Sequence, residues 1–386
     1  MIPDYKNSIV NLSSSILQHF GVKTEHSPLL ISTEFKKNIV LIILDGFGYN
    51  LLSRYAETEC KTLSKFFEKK ITSVFPPTTS AAITSILTAK TPFEHGAIGW
   101  TLYFKEFAKN IDFLPNWDSI TAQTQNAEKY NIYDFVGAES IFSRIAKQNV
   151  NQFHITEKYL KNSTNNTKCS HSAKLMGHKS PQHFFKILRK IIKKKKFKES
   201  VNFVYSYFSA PDKIEHRNGV FSNSTKIFLQ NFDEQLNQFI NKTKNADTTI
   251  LITADHGLID INKYFYVNED KPLFDTLIMP TFPEPRFMSF FVKPHKIDIF
   301  KKEIAKYEDE FLILSRDEFF EKQFLGNGLM HPKIDDFIGD FVAIAKSNAA
   351  LKSIYQQNGK WEKEFSAHHA GITVDEMIIP LIKIDL

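Results

Sequence analysis

The densest chemistry in this sequence lies at Thr253-Ala254-Asp255-His256-Gly257. It follows an apolar, β-branched run, Thr248 to Thr253, of the kind that forms a buried strand. Asp and His supply the oxygen and nitrogen donors that hold divalent metals, and the glycine permits the tight turn that presents both. An Asp-His pair can also simply close a turn, but the strand-end position weighs toward a metal site. A second cluster, Pro211-Asp212 to His216, follows the run Val201 to Phe208. Asp and His four residues apart share one face of a helical turn and can share one ion. Taken singly, such pairs are mostly structural. Glu215 is a rival ligand whose spacing from Asp212 aims it elsewhere.

Asp45 ends the run Asn38-Ile39-Val40-Leu41-Ile42-Ile43-Leu44. A carboxylate beside the core is costly unless it meets a cation, although a helix cap is an equal reading for this residue alone. The adjoining Gly46-Phe47-Gly48 is no dinucleotide loop: Leu51 occupies the third glycine position, and an Asp ahead of the first would repel a pyrophosphate. Phe75-Pro-Pro-Thr78-Thr79-Ser80 leads into the helical pattern Ala81 to Ala89. Hydroxyls in a first helical turn sit in positive potential beside N–H groups that suit a phosphate, and a nearby metal would turn one into a nucleophile. The ordinary reading is a Ser/Thr cap. In Ala367-His368-His369-Ala370-Gly371, neighbours in extended chain point to opposite sides, so one of the two histidines is expected to reach a metal.

These groups need a scaffold that brings them together. Continuous apolar runs suit strands covered on both faces, and helical patterns separate them at Pro181 to Lys198 and Ser224 to Thr243. A last strand is expected from Met377 to Ile384. Strands alternating with helices predict an α/β fold, a mainly parallel sheet with helices on both faces. Ligands in such folds gather outside the carboxyl ends of the strands, and three of these strands run straight into an Asp. Residues 1–36 read as an N-terminal helix (Ser8 to Phe20) and a connection, and 37–386 as the catalytic domain. Less regular stretches, about 101–175 and 260–345, are expected to be insertions capping the active edge of the sheet.

Composition narrows the class. The chain has 386 residues, 42% of them hydrophobic, which is ample for a core, and a net charge of +6, too modest to demand a polyanionic partner. No nucleic-acid partner is expected. Cys60 and Cys169 form neither a CxxC nor a disulfide framework. The N-terminus lacks a secretory pattern, and no uncharged apolar run reaches the roughly 18 residues of a membrane span. A soluble, cytoplasmic protein is the expectation, with export by another signal as the alternative.

As an ordered set, Leu44-Asp45-Gly46-Phe47-Gly48, Phe75 to Thr79 with His95-Gly96 sixteen residues beyond, Pro211-Asp212 with His216, Ala254 to Gly257, and His369 to Leu381 resembles the alkaline phosphatase superfamily. The nearest branch is the type I phosphodiesterase/nucleotide pyrophosphatase family. Glu284-Pro285-Arg286 and Gly339-Asp340 are smaller echoes. The resemblance implies two divalent metal ions, usually zinc, with manganese or magnesium as alternatives. It implies Asp212, His216 and His369 on one ion and Asp45, Thr79, Asp255 and His256 on the other. It also implies Thr79 as nucleophile, with Thr78 and Ser80 as rivals, and a covalent phospho-threonine intermediate. The expected activity is hydrolysis of a phosphodiester or pyrophosphate bond in a nucleotide-like phosphate-ester substrate. One position departs from the family pattern: Ala82 stands where nucleotide pyrophosphatases usually carry an Asn that helps hold a phosphate oxygen. A phosphomonoesterase or phosphonate hydrolase on the same site is therefore the alternative.

Other features have blander readings. The basic stretch Lys186 to Lys198 complements a helix C-terminus and reads as a solvated face, with contact to an anionic membrane surface by a non-catalytic protein as the minority reading. His154, His171, His178, His183 and His331 fall in irregular regions and are expected to be exposed. Trp100 and Tyr103, with Phe104 and Trp117, follow the nucleophile segment. The first two are candidates to contact substrate, although aromatics in a chain with 36 Phe are more often core.

Overall fold

Asn38–Leu44 (β1) is buried along its whole length. Its aliphatic side chains face helices on both sides, each such burial being worth roughly 1.5–3 kcal/mol relative to exposure. In the computed structural model, which describes residues 1–121, 133–354 and 364–386 together with the backbone pairing of 356–357 with 360–361, β1 lies near the middle of a seven-stranded sheet. The other strands are Phe67–Thr72 (β2), Asn151–Glu157 (β3), Lys174–His178 (β4), Asn202–Phe208 (β5), Thr248–Thr253 (β6) and Ile378–Asp385 (β7). The spatial order is β2-β7-β6-β1-β5-β3-β4. β1 pairs in parallel with β5 and β6, whereas β7 runs antiparallel to both its neighbours, β6 and β2.

β1, β5 and β6 thus point their carboxyl ends the same way, and register sets Ile43 against both Tyr207 and Thr253. The segments after these strands must therefore emerge side by side. Ile9–His19 (α1) buries Ile9, Val10, Leu12, Ile16 and Leu17 in the same core as the sheet. Ser13 Oγ of α1 donates to Ile86 O at 2.9 Å, so the N-terminal helix backs Thr79–Thr88 (α2). On the sheet lie Pro181–Ile192 (α3) and Asn223–Lys242 (α5), the latter reached through the short helix Asp212–Asn218 (α4). The basic stretch is not one helix: α3 stops at Ile192 and a separate turn covers Lys195–Glu199. It leads into the amino end of β5, the end of the sheet remote from Asp212. Among the described residues, no helix is long and apolar enough to cross a membrane.

The stretch 101–175 divides. Thr101–Phe104, Lys109–Asp112 and Trp117–Asp118 form a separate three-stranded sheet, but β3 and β4 belong to the main sheet. Their sequences, Asn-Gln-Phe-His-Ile-Thr-Glu and Lys-Leu-Met-Gly-His, lack a continuous apolar run because they close an edge rather than fill the centre. The second expected insertion carries a four-stranded antiparallel sheet, Phe282–Glu284, Phe287–Phe290, Phe341–Ala345 and Phe311–Ser315 in spatial order.

Two histidines expected at the surface are instead buried. His154 and His178 sit on β3 and β4, the first stacked on Phe142 and the second packed at a tilt against Phe208. Burial drives His154 down to about 3, while Ser170 Oγ lies 2.7 Å from its Nδ1. The folded chain keeps this ring neutral where the unfolded chain protonates it, so its contribution to stability is present above pH 6.5 and is lost as pH falls toward 3. Thermal unfolding from pH 7 to 4 should accordingly show a shallower fall in midpoint for His154→Gln than for the parent chain. One proton corresponds to about 1.4 kcal/mol per pH unit.

Candidate active site

Two clusters of donors stand at the carboxyl ends of β1, β5 and β6. Asp45, Asp255 and His256 bring one ligand atom each within 4.8 Å of one another, and so do Asp212, His216 and His369. In the first, His256 Nε2 lies 3.5 Å from Asp45 Oδ1, 3.5 Å from Asp255 Oδ2 and 3.2 Å from Thr79 Oγ1. In the second, Asp212 Oδ1 lies 3.1 Å from His216 Nε2 and 3.9 Å from His369 Nε2. The clusters adjoin: the His256 and His369 rings are 4.0 Å apart, and Asp212 N donates to Asp45 O at 2.8 Å.

The local fold explains the placement. α4 begins at Asp212, so His216 rises one turn above it on the same face. Thr79 opens α2, immediately after its N-cap, Thr78. His369 follows the two-residue strand Ala367–His368; both histidines line the neighbouring cavity, but of the two only His369 joins a donor cluster. All seven side chains singled out from the sequence, Asp45, Thr79, Asp212, His216, Asp255, His256 and His369, therefore meet. Glu215 is buried on the same helix but belongs to neither cluster.

The electrostatics are those of a site waiting for positive charge. Burial, then Asp255 and Asp212, push the Asp45 carboxyl well above the usual carboxylate range, and burial raises Asp255 as well. Burial alone would raise Asp212 as well, but His216 beside it holds it below its ordinary value. Burial and the neighbouring His256 and His216 keep His369 neutral, far below the usual histidine range. Asp45 Oδ1, Asp212 Oδ1, Asp255 Oδ2 and His369 Nδ1 are buried without a hydrogen-bond partner, although some lie within ion-pair distance of a ring nitrogen. Orphaned carboxylate oxygens are rare in a folded protein, and their convergence here fits divalent cations. The supporting contacts agree: His216 Nδ1 lies 2.7 Å from Ala367 O and His256 Nδ1 lies 3.2 Å from Gly257 O, which leaves each Nε2 lone pair facing the carboxylates.

Beside the clusters opens a cavity of about 470 Å³ lined by Thr79, Trp100, Phe282, Glu284, Lys352 and Phe365, among others. Trp100 is on its wall. Tyr103 is not among its lining residues; its ring packs beside Phe282, which is. Sequence reasoning missed Tyr207, whose hydroxyl donates to Asp45 Oδ2, because nothing distinguishes a tyrosine inside an apolar strand. It also assigned no role to Glu284, which burial raises to about 7.

The loop carrying His369 is braced from behind. Arg286, fully buried, donates from Nε and Nη2 to the two Glu376 oxygens at 2.6 and 2.8 Å and from Nη1 to Ala349 O at 2.6 Å. Glu376 also accepts from Gly371 N at 2.8 Å and Thr373 Oγ1 at 2.7 Å. Only glycine fits at 371, since a Cβ would come within 2.8 Å of Ala345 O, Arg286 Nη2 and Glu376 Oε2. Ala370 holds φ +88°, a left-handed conformation that costs an L-residue roughly 1 kcal/mol.

A sequence model described as type I phosphodiesterase / nucleotide pyrophosphatase matches residues 39–371. The chain belongs to that family. The hydrolase class follows from membership. Among solved structures, the chain is similar to murine ectonucleotide pyrophosphatase/phosphodiesterase 5, determined as an inactive threonine-to-alanine variant with AMP. The TM-score is 0.62 and the identity 16%, over 90% of this chain and 87% of that one. The human counterpart gives a TM-score of 0.62 and 16% identity over 89% and 87%. At that identity the likeness establishes the fold, an alkaline-phosphatase-type α/β sheet. No functionally curated sequence matches the chain.

Breaking the brace should expose its weight. Arg286→Met leaves the Glu376 charge buried and unpaired and should lower unfolding free energy by about 3–5 kcal/mol in denaturant titration. Pairing it with Glu376→Gln should recover part of that loss.

Proposed function

We propose that this phosphodiesterase-family chain is a two-metal hydrolase that cleaves a phosphodiester or pyrophosphate bond in a nucleotide-like substrate, with Thr79 as nucleophile. The observation that carries the reading is the adjacency of two donor triads around one hydroxyl, Thr79 Oγ1, 3.2 Å from His256 Nε2. Asp212, His216 and His369 would hold one cation, and Asp45, Asp255 and His256 with Thr79 the other; zinc suits these donors, and manganese or magnesium are the alternatives. Bound there, such ions would polarise the phosphoryl oxygens and lower the pKa of the threonine hydroxyl or of water.

The chain's own residues define the rest. Thr79 heads α2, whose N-terminus carries no side-chain cap, so its first-turn N–H groups and dipole face the position of a phosphate. Thr79 Oγ1 bonds to phosphorus as the ester oxygen departs with a proton. Water then breaks the threonine–phosphorus bond, restoring the hydroxyl and releasing the phosphate product. Of the rival nucleophiles, Thr78 is engaged with Glu284, and Ser80 Oγ is buried without a hydrogen-bond partner, whereas Thr79 Oγ1 lies 3.2 Å from His256 Nε2. Ala82 is fully buried and offers no amide to a phosphate oxygen, which leaves a monoester or a phosphonate as the competing substrate class. The cavity wall bearing Trp100 and Phe365 would receive the organic group, and the AMP found in the murine relative supports a nucleotide there.

Purified protein reconstituted with zinc or manganese should carry two ions per chain by elemental analysis and hydrolyse bis-p-nitrophenyl phosphate faster than p-nitrophenyl phosphate. A preference for the monoester would move the assignment to the phosphomonoesterase reading, and metal-free protein would end it. Thr79→Ala should retain the metals and lose roughly a thousandfold or more in kcat. Trp100→Ala should weaken AMP binding measured by calorimetry; an unchanged affinity removes Trp100 from the substrate wall.

A further inference from the structure

Thr78 occupies the N-cap position of α2 with extended backbone, where a threonine ordinarily bonds the N–H groups of the first turn, yet its side chain makes no such bond. It donates instead to Glu284 Oε1 at 2.6 Å. The same oxygen accepts the backbone N–H of Trp100 at 2.6 Å. Glu284 is 6% exposed, lines the cavity that contains Thr79, and sits at the end of the strand Phe282–Glu284 in the four-stranded cap sheet.

One buried carboxylate oxygen therefore ties together three segments: the residue preceding the nucleophile, the residue opening the aromatic wall, and the cap. The approach is built from both sides, because a Cβ on Gly99 would fall 2.3 Å from Pro283 Cβ, and only glycine lets the chain ahead of Trp100 come so near. Burying a carboxylate is costly unless donors meet it, and a charged acceptor holds its donors more tightly than a neutral one. Neither bond stabilises a helix or a strand ladder, so the arrangement makes best sense as a clamp on the geometry of the site. An error of about 1 Å in the placement of a reacting group can cost on the order of a hundredfold in rate.

We propose that Glu284 is a positioning residue for the Thr79 reaction, fixing the nucleophile segment and the Trp100 wall relative to each other through its Oε1. The inference rests on the hydrolase reading above, and its test separates the two. Full-length Glu284→Ala, Glu284→Gln and Thr78→Val are compared with the parent chain, each loaded with zinc, for bis-p-nitrophenyl phosphate turnover, metal content and amide hydrogen exchange over residues 97–101. Glu284→Ala should lower kcat about ten- to a hundredfold with metal content unchanged, and should speed exchange at Trp100. Glu284→Gln, which can accept the same two bonds, should restore most of the rate and most of the protection. Thr78→Val, which cuts one arm only, should lower kcat while leaving Trp100 protected, and it carries the test if Glu284→Ala does not fold. Unchanged kcat in Thr78→Val, or a Gln variant as impaired as the Ala variant, would overturn the proposal, the second by showing that the charge itself is used. If the parent chain hydrolyses no phosphate ester, the hydrolase reading fails, and with it the catalytic part of this proposal. Exchange at Trp100 still decides independently whether the tether exists: unchanged protection in Glu284→Ala overturns it.

Discussion

Three carboxylates, Asp45, Asp212 and Asp255, are driven to one place by the register of three parallel strands, and the rest of the structure is arranged around that repulsion. Two unit charges about 4 Å apart at a protein's effective dielectric repel by roughly 4 kcal/mol, a large share of the stability of an ordinary domain. A fold that accumulates such a cost at buried Asp45 and Asp255 and part-buried Asp212 favours a counter-charge; His216 beside Asp212 supplies part of it, whereas His369 is held neutral by its own burial and its neighbours. Divalent cations held as proposed above would serve the electrostatic balance of the sheet as much as the chemistry. Tyr207, donating to Asp45, and Gly46 N, 3.2 Å from Asp255 Oδ1, soften the repulsion only in part.

What could be read from the sequence follows from burial. β1, β5 and β6 announce themselves as apolar runs because both faces are covered, and each ends in a residue that such a run would never tolerate inside it. Asp45, Asp212, Asp255 and His256 stood out because their chemistry contrasts with the apolar runs before them, whereas the full set, with Thr79 and His369, was legible only through the ordered resemblance to the family. β2, β3 and β4 were not, since strands near an edge carry Lys, Asn and Gln on their open faces and imitate loops. His154 and His178 were misplaced with them. Tyr103 was a candidate by its position in the chain, and its packing against Phe282 is a long-range fact that no local pattern encodes.

The supporting shell was the least legible part. Arg286 and Glu376 are 90 residues apart, and their partnership appears only when the cap sheet and the final loop are placed together. Glu284 looks like a polar residue between prolines until Thr78 and Trp100 are found on the same oxygen. Such groups work through geometry shared by several segments, whereas ligands are recognisable one at a time by their donor atoms.

The strand order carries a consequence for how the molecule comes into being. β7, the final strand, sits between β2 and β6, with β2 paired to nothing else in the sheet. During synthesis the amino-terminal portion must wait with two open edges until more than 300 further residues have been added after β2. Only then do the sheet and the paired donor clusters, whose last member His369 lies nine residues ahead of that strand, close together. Because unpaired edges invite association with other chains, a ribosome-bound intermediate of this topology is exposed to mispairing until the last strand arrives.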